Sequence, residues 1–149
     1  MPAPMKRTLI APAAVAALLF AAAPAHAELF SKAYAFKPNT TPEVGTDIAE
    51  GLRLDTVEFQ LGADDGSPSG LFSGPKVKIS ISNLGTTSAK IGLALAITDA
   101  DGRLVAVASG GTKLFPLRAG RQMTYSLGLD GVNSELSKGT VFRISIEPK

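Results

Sequence analysis

The feature that most constrains this fold is a regular alternation of apolar and polar residues between Lys76 and Leu129. Apolar residues occupy every second position in four separate runs, and Gly, Asn and Asp residues typical of turns separate the runs. A period of two residues belongs to a β-strand with one face in a core, whereas a helix repeats near 3.6 residues. The stretch therefore predicts antiparallel strands joined by short turns.

The alternation continues on both sides of this stretch and raises the expected total to seven or eight strands. Leu52–Leu61 forms one further run, and Phe142, Ile144 and Ile146 share one face of the last run. The parity of the apolar residues changes at Asp55-Thr56. Because a strand exchanges faces only through an extra residue, we predict a β-bulge there.

Three shorter segments carry weaker patterns. We expect a first strand at Ala33–Lys37 and one helical turn at Asp47–Glu50. We also expect a short strand at Thr112–Leu117, which Pro116 marks as an edge strand or as a crossing between sheets.

Two packed sheets are the arrangement that buries so many one-sided strands. A single sheet would leave its apolar face in water, at about 25 cal/mol per Å². That loss would exceed the whole net stability of a domain, about 5–15 kcal/mol. We therefore predict an all-β fold, an immunoglobulin-like antiparallel β-sandwich, as one domain spanning residues 28–149.

Residues 1–27 are predicted to be a cleavable signal peptide. Lys6 and Arg7 precede an apolar run at 9–23, and Pro24-Ala25-His26-Ala27 ends with the small residues that a signal peptidase reads. The alternative, a retained anchor, is disfavoured because a membrane span needs about 20 apolar residues. The chain is thus expected to be periplasmic or secreted, without stable membrane insertion after cleavage.

Composition excludes several kinds of chemistry. The chain has no Cys or Trp, and its one His lies inside the predicted signal peptide, so the mature chain lacks Ser-His and Cys-His nucleophile systems. It also lacks the usual ligands of zinc, copper and iron. Removing Lys6 and Arg7 from the 15 basic residues leaves 13, equal to the 13 acidic residues. This neutral total favours neither nucleic-acid binding nor attraction to acidic lipid. We expect no enzyme activity and no cofactor.

Asp99 and Asp101 lie in an Asp-x-Asp-Gly sequence that could begin a calcium loop. A third ligand is expected two residues later, where Arg103 stands instead. The sequence therefore favours a plain hairpin turn over a calcium site.

Two surfaces are candidates for an interaction site. Gly92, Ala94 and Ala96 form the outward side of one strand, where longer polar side chains are usual. Either residues 28–51 cover this side, or it is a flat docking surface with little charge to desolvate. The loop 62–75 carries Leu71 and Phe72, which either pack onto the sandwich or form an apolar binding tip.

Three motifs resemble immunoglobulin-like domains of bacterial envelope proteins of the FxLYD type. They are the strand Val77-x-Ile79-x-Ile81-x-Asn83, the strand–turn–strand sequence from Ile97 to Val105, and the turn Leu117-Arg118-Ala119-Gly120. The resemblance implies a structural or interaction module without a catalytic site.

We therefore expect an exported, non-enzymatic module whose partner is another envelope protein or a second copy of the chain. The alternative is a ligand-binding module for a glycan or a small apolar molecule. Such sites usually use aromatic platforms, and the aromatic residues with a polar group here are Tyr34 and Tyr125.

Overall fold

The computed structural model describes residues 29–49, 51–61, 74–131 and 133–149. Within these ranges the chain forms nine strands and one short 3-10 helix. The strands are β1 (Phe30–Ala35), β2 (Glu43–Ala49), β3 (Leu52–Gln60), β4 (Lys76–Asn83), β5 (Ile91–Thr98), β6 (Leu104–Gly111), β7 (Arg121–Gly128), β8 (Asp130–Gly131) and β9 (Val141–Pro148), and the helix covers Asn133–Lys138. The predicted signal peptide lies outside the described residues.

The strands form two antiparallel sheets. One sheet has the order β1-β9-β5-β6-β8, and the other has the order β2-β3-β4-β7. The two-residue strand β8 pairs only with Ala106 and Val107 of β6. The all-β class and the β-sandwich predicted from the alternation are confirmed.

The core lies between the sheets and contains side chains from both. Ile79 of the four-stranded sheet and Ile144 of the five-stranded sheet are both fully buried. Phe59 and Phe142 meet across the interface edge to face, with ring centroids 5.0 Å apart. Such edge-to-face pairs stabilise a fold beyond the free energy of burying the two rings. The strands from both sheets thus pack their apolar faces together, as the alternation predicts.

The predicted β-bulge in β3 is confirmed. Leu54 pairs with Ile81 and Thr56 pairs with Ser80, so Asp55 is the extra residue between two consecutive pairs. Leu54 and Val57 are therefore both buried although their positions differ in parity.

The helical turn predicted at 47–50 is wrong for its described residues. Asp47 and Ala49 belong to β2, which pairs with β3. Val44, Thr46 and Ile48 alternate with exposed neighbours and are half-buried at the sheet edge. A tertiary contact of this kind outweighs a weak local preference for a helical turn.

Two other predicted strands need correction. The first strand spans Phe30–Ala35, three residues earlier at its start than predicted. The strand expected at 112–117 is wrong, since this segment makes one isolated bridge, between Ala89 and Leu117.

Asn83 connects the loops that follow β4 and precede β7. Its side-chain amide donates to the carbonyl oxygens of Thr87 and Leu117, at 2.8 and 3.0 Å. Its side-chain oxygen accepts from the backbone N–H of Gly85 at 3.0 Å, and its backbone oxygen accepts from Gly120 at 2.7 Å. Asn83 is buried, so these bonds satisfy groups that would otherwise be costly.

Candidate functional site

The candidate site is the outer surface of the five-stranded sheet around β5. The buried positions of β5 are Ile91, Leu93, Leu95 and Ile97, which leaves Gly92, Ala94 and Ala96 on the outer side. Strand register places Ser145 and Ser109 on either side of Ala94. It places Arg143 and Val107 on either side of Ala96. We call this surface, from β9 across β5 to β6, the small-residue face.

The described part of the N-terminal segment does not cover the small-residue face. Strand β1 lies in the plane of the same sheet, hydrogen-bonded beside β9, and β2 belongs to the other sheet. Ala94 is exposed, and Gly92 and Ala96 are half-buried. Of the two interpretations open from the sequence, coverage by this segment is therefore wrong for residues 29–49 and 51.

A shallow hollow of about 290 Å³ lies on the small-residue face. Its lining includes Ala94, Ala96, Val107, Ser145, Asp130 and Arg143. The hollow thus combines a mostly apolar floor with one cationic and one anionic side chain. Removing water from this hollow should therefore cost little free energy. Arg143, a residue type enriched at protein interfaces, can still orient a partner.

Glycine at position 92 is not required by the backbone. A Cβ atom built there would lie 3.6 Å from Glu147 Oε2, which is an ordinary contact distance. Its cross-strand partner Gly111 differs, because it has a φ of 141° and a Cβ atom there would collide with the carbonyl oxygen of Ile91. The fold therefore needs glycine at 111 and merely permits it at 92.

The Asp99–Gly102 sequence forms the predicted tight turn. Asp99 Oδ1 accepts from the backbone N–H groups of Asp101 and Arg103, both at 2.9 Å. Gly102 has a φ of 78°, which favours glycine. Asp101 lies 3.9 Å from the Arg103 guanidinium in an exposed ion pair. Within the described ranges, no group of three or more His, Cys, Asp or Glu side chains is placed to hold a metal ion.

The second candidate surface belongs to the loop 62–75. Leu71 and Phe72 fall in residues 62–73, outside the described residues. Alternation along the sequence does not predict that Arg143, Val107 and Asp130 lie beside Ala96, because neighbours across a sheet follow from strand order. The outward parity of Arg143 was nevertheless readable from Phe142 and Ile144 on either side of it.

Comparison with known proteins assigns no family. A scan against models of protein families and a search of curated proteins both find no match for the chain. In the part of the chain that the structure describes, no helix has the length and apolar composition needed to cross a membrane.

Proposed function

We propose that this chain is an exported, non-enzymatic module of the bacterial cell envelope that docks a folded protein through the small-residue face. The partner is another envelope protein or a second copy of the chain. One observation carries the proposal: the outer side of β5 is lined by small residues and is open among the described residues. Small side chains allow close approach of a partner, and few charges lose their hydration on docking.

The strand order supports an immunoglobulin-like topology. Strands β3 and β4 pair, the chain crosses to the other sheet for β5 and β6, and it returns for β7, which pairs with β4. Strand β9 then pairs with β5. This succession is that of strands A, B, C, C′, E and F of such sandwiches. The N-terminal strand β1 occupies the edge beside β9 where strand G would lie.

Self-association is the first test. Light scattering on the exported chain at high concentration should reveal a dimer or larger species, and envelope cross-linking should recover any different partner. The decisive variant is Ala94→Arg, which places a long cation on the small-residue face. Its matched control is Ser126→Arg, at an exposed position of β7 on the other sheet.

We expect Ala94→Arg to abolish association and Ser126→Arg to preserve it, with both variants folded by circular dichroism. A strict monomer that also cross-links to no partner would contradict the proposal. Equal loss of association in both variants would assign the contact to a different surface.

The hollow of about 290 Å³ supports a second candidate, a site for a small apolar ligand. Neither tyrosine offers a platform there: Tyr125 is buried, and Tyr34 stacks on the core residue Phe142 at 5.3 Å. This arrangement favours an apolar ligand over a glycan. A thermal-shift screen with glycans and lipids separates the two, and no shift with any compound would end this candidate.

A further inference from the structure

One end of the sandwich collects exposed apolar side chains on its loops. This end contains the start of β1, the end of β4, and the loop from Thr112 to Gly120 that connects β6 to β7. Leu114 and Phe115, in that loop, are 87% and 71% exposed, and Leu84, after β4, is 66% exposed. Leu29, before β1, is 59% exposed. Isolated exposed leucines are ordinary, but several at one end indicate a contact surface.

The loop that carries Leu114 and Phe115 is fixed at both of its stems. Thr112 donates its N–H to the carbonyl of Ile91 at 2.9 Å, and its hydroxyl accepts from the Ile91 N–H at 2.9 Å. On the other side, Leu117 is fully buried and bridges to Ala89. The loop therefore uses one of its large apolar residues for the core and presents the other two to the outside.

Basic residues lie at the same end of the sandwich as these apolar side chains. Lys90, Lys113 and Lys149 line a single concavity of about 390 Å³ over the Gly110-Gly111 backbone. Arg118 and Arg121 are exposed in and after the turn that precedes β7. We call this the basic end, defined by Lys90, Lys113, Arg118, Arg121 and Lys149.

Few acidic side chains offset this charge among the described residues of the basic end. Glu147 is paired with Lys149 at 3.3 Å, and Asp47 lies opposite Arg53 in the strand register. At the opposite end of the sandwich, Asp99, Asp101 and Asp130 are mixed with Lys37, Lys76 and Arg103. Among the described residues, the basic end therefore carries more basic than acidic side chains, so the neutral total of the mature chain does not describe this end.

We propose that the basic end docks on the surface of an anionic phospholipid bilayer. Leu114 and Phe115 enter the headgroup region while the lysines and arginines contact lipid phosphates. Each basic residue near an anionic surface contributes about 1 kcal/mol, which corresponds to a change in affinity of about fivefold. Lysine side chains can keep their charge at the surface while their methylene groups follow the apolar residues inward.

Two features favour a lipid surface over a protein partner at this end. Lysine is depleted in protein–protein interfaces, whereas it is typical of segments that contact anionic lipid. The second feature is that the apolar residues stand on loops and next to strand ends, at one end of the sandwich.

Vesicle flotation tests this proposal with the chain purified after export and its N-terminus determined by mass spectrometry. The probes are vesicles of phosphatidylcholine alone and vesicles that also contain phosphatidylglycerol, at low and high salt. We expect binding to the anionic vesicles, little binding to the neutral vesicles, and weakening at high salt, because salt screens exposed charges. Lys113→Glu should weaken binding by about tenfold or more, and Leu114→Ser with Phe115→Ser should do the same.

Matched controls lie at the opposite end. Leu104 is 64% exposed there, so Leu104→Ser removes a comparable apolar side chain, and Lys37→Glu reverses an exposed charge. Both controls should bind as the unchanged chain does. Absence of binding to anionic vesicles, equal binding to neutral vesicles, or equal losses in the controls would each overturn the proposal. The concavity at the basic end meets the small-residue face at Gly92. None of these variants changes a residue of that face, so this proposal and the proposed protein contact can fail independently.

Discussion

The outer faces of the two sheets differ in the polarity of their side chains. On the four-stranded sheet, polar side chains bond to each other across strands: Ser82 donates to Asp55 at 2.7 Å, and Gln122 donates to the same carboxylate at 2.9 Å. Ser80 and Thr124 share a hydrogen bond of 2.8 Å on the same face. On the five-stranded sheet, Ser145 donates to Ser31 at 3.2 Å, but the centre consists of Gly92, Ala94 and Ala96, which carry no polar side-chain atom.

The two outer faces differ in the free energy needed to remove water when a partner binds. A protein that covered the four-stranded face would have to replace the hydration of a carboxylate, an amide and several hydroxyls. A protein on the small-residue face would displace water mainly from methyl groups and backbone, and would meet the charged groups of Arg143 and Asp130. Small residues there give the fold itself little packing, and the docking role that we propose would account for them.

Gly111→Ala should give the largest effect of the changes considered for these faces. The new Cβ atom would meet the Ile91 carbonyl, and the φ of 141° is strained for alanine. We expect the free energy of unfolding to fall by about 3 kcal/mol, measured by urea denaturation.

The matched control is Gly92→Ala, at the position paired with Gly111 across the strands. Here the Cβ atom meets only ordinary contacts, so we expect stabilisation by about 0.5–1 kcal/mol from reduced freedom of the unfolded chain. If Gly92→Ala destabilised the fold as much as Gly111→Ala, glycine at 92 would be structural, and the docking interpretation of this position would fail.

The sequence was sufficient for the core and for the bulge. Alternation in Val77, Ile79 and Ile81 predicted which side chains are buried, because strand periodicity alone decides the face. The change of parity at Asp55 predicted the bulge for the same reason. The segment around Asp47 was misassigned because its half-buried face depends on β3, a contact that local preference does not contain.

The candidate site was only partly predictable. Gly92, Ala94 and Ala96 were identified as outward from parity, but whether anything covers them depends on the position of β1 in the sheet. The sequence does not predict the basic end, because Lys90, Lys113 and Lys149 are far apart along the chain. The pairing of β5 with β6 and β9 brings them together. Which loops become neighbours depends on the strand order, and a local sequence pattern does not predict that order.

Asp55→Ala should have the second largest effect on the free energy of unfolding, and it tests the hydrogen-bonded outer face of the four-stranded sheet. Asp55 is the bulge residue and accepts from Ser82 and Gln122, with Arg53 Nε 4.0 Å away. Losing two hydrogen bonds to a charged acceptor should cost about 2 kcal/mol. Urea denaturation of Asp55→Ala beside Ser126→Ala, an exposed position of the same face, measures the difference. Equal stability of the two variants would mean that the hydrogen-bonded face contributes no more than an ordinary solvated one.

Tyr125→Phe should have the smallest effect at neutral pH and concerns the inner side of β7. Thr124, on the outer side, has a hydrogen-bonded hydroxyl, but the buried Tyr125 hydroxyl has no partner among the described residues. Removing an unpaired buried hydroxyl should change stability by about 0–1 kcal/mol, in the stabilising direction. Burial raises the pKa of Tyr125 above its usual 10.0, because desolvation disfavours the phenolate.

The pH dependence separates this effect from simple repacking. With a raised pKa in the folded state, the contribution of the Tyr125 phenol to stability is complete below pH 10.0 and is lost as the pH rises through the folded pKa. Unfolding followed from neutral to alkaline pH should therefore show a steeper loss for the unchanged chain than for Tyr125→Phe. The control Tyr34→Phe removes a hydroxyl that donates to Thr46 at 3.3 Å and should retain the steeper loss. If the alkaline loss of stability disappeared only with Tyr34→Phe, the Tyr125 hydroxyl would have access to water. The inner side of β7 would then be hydrated at Tyr125.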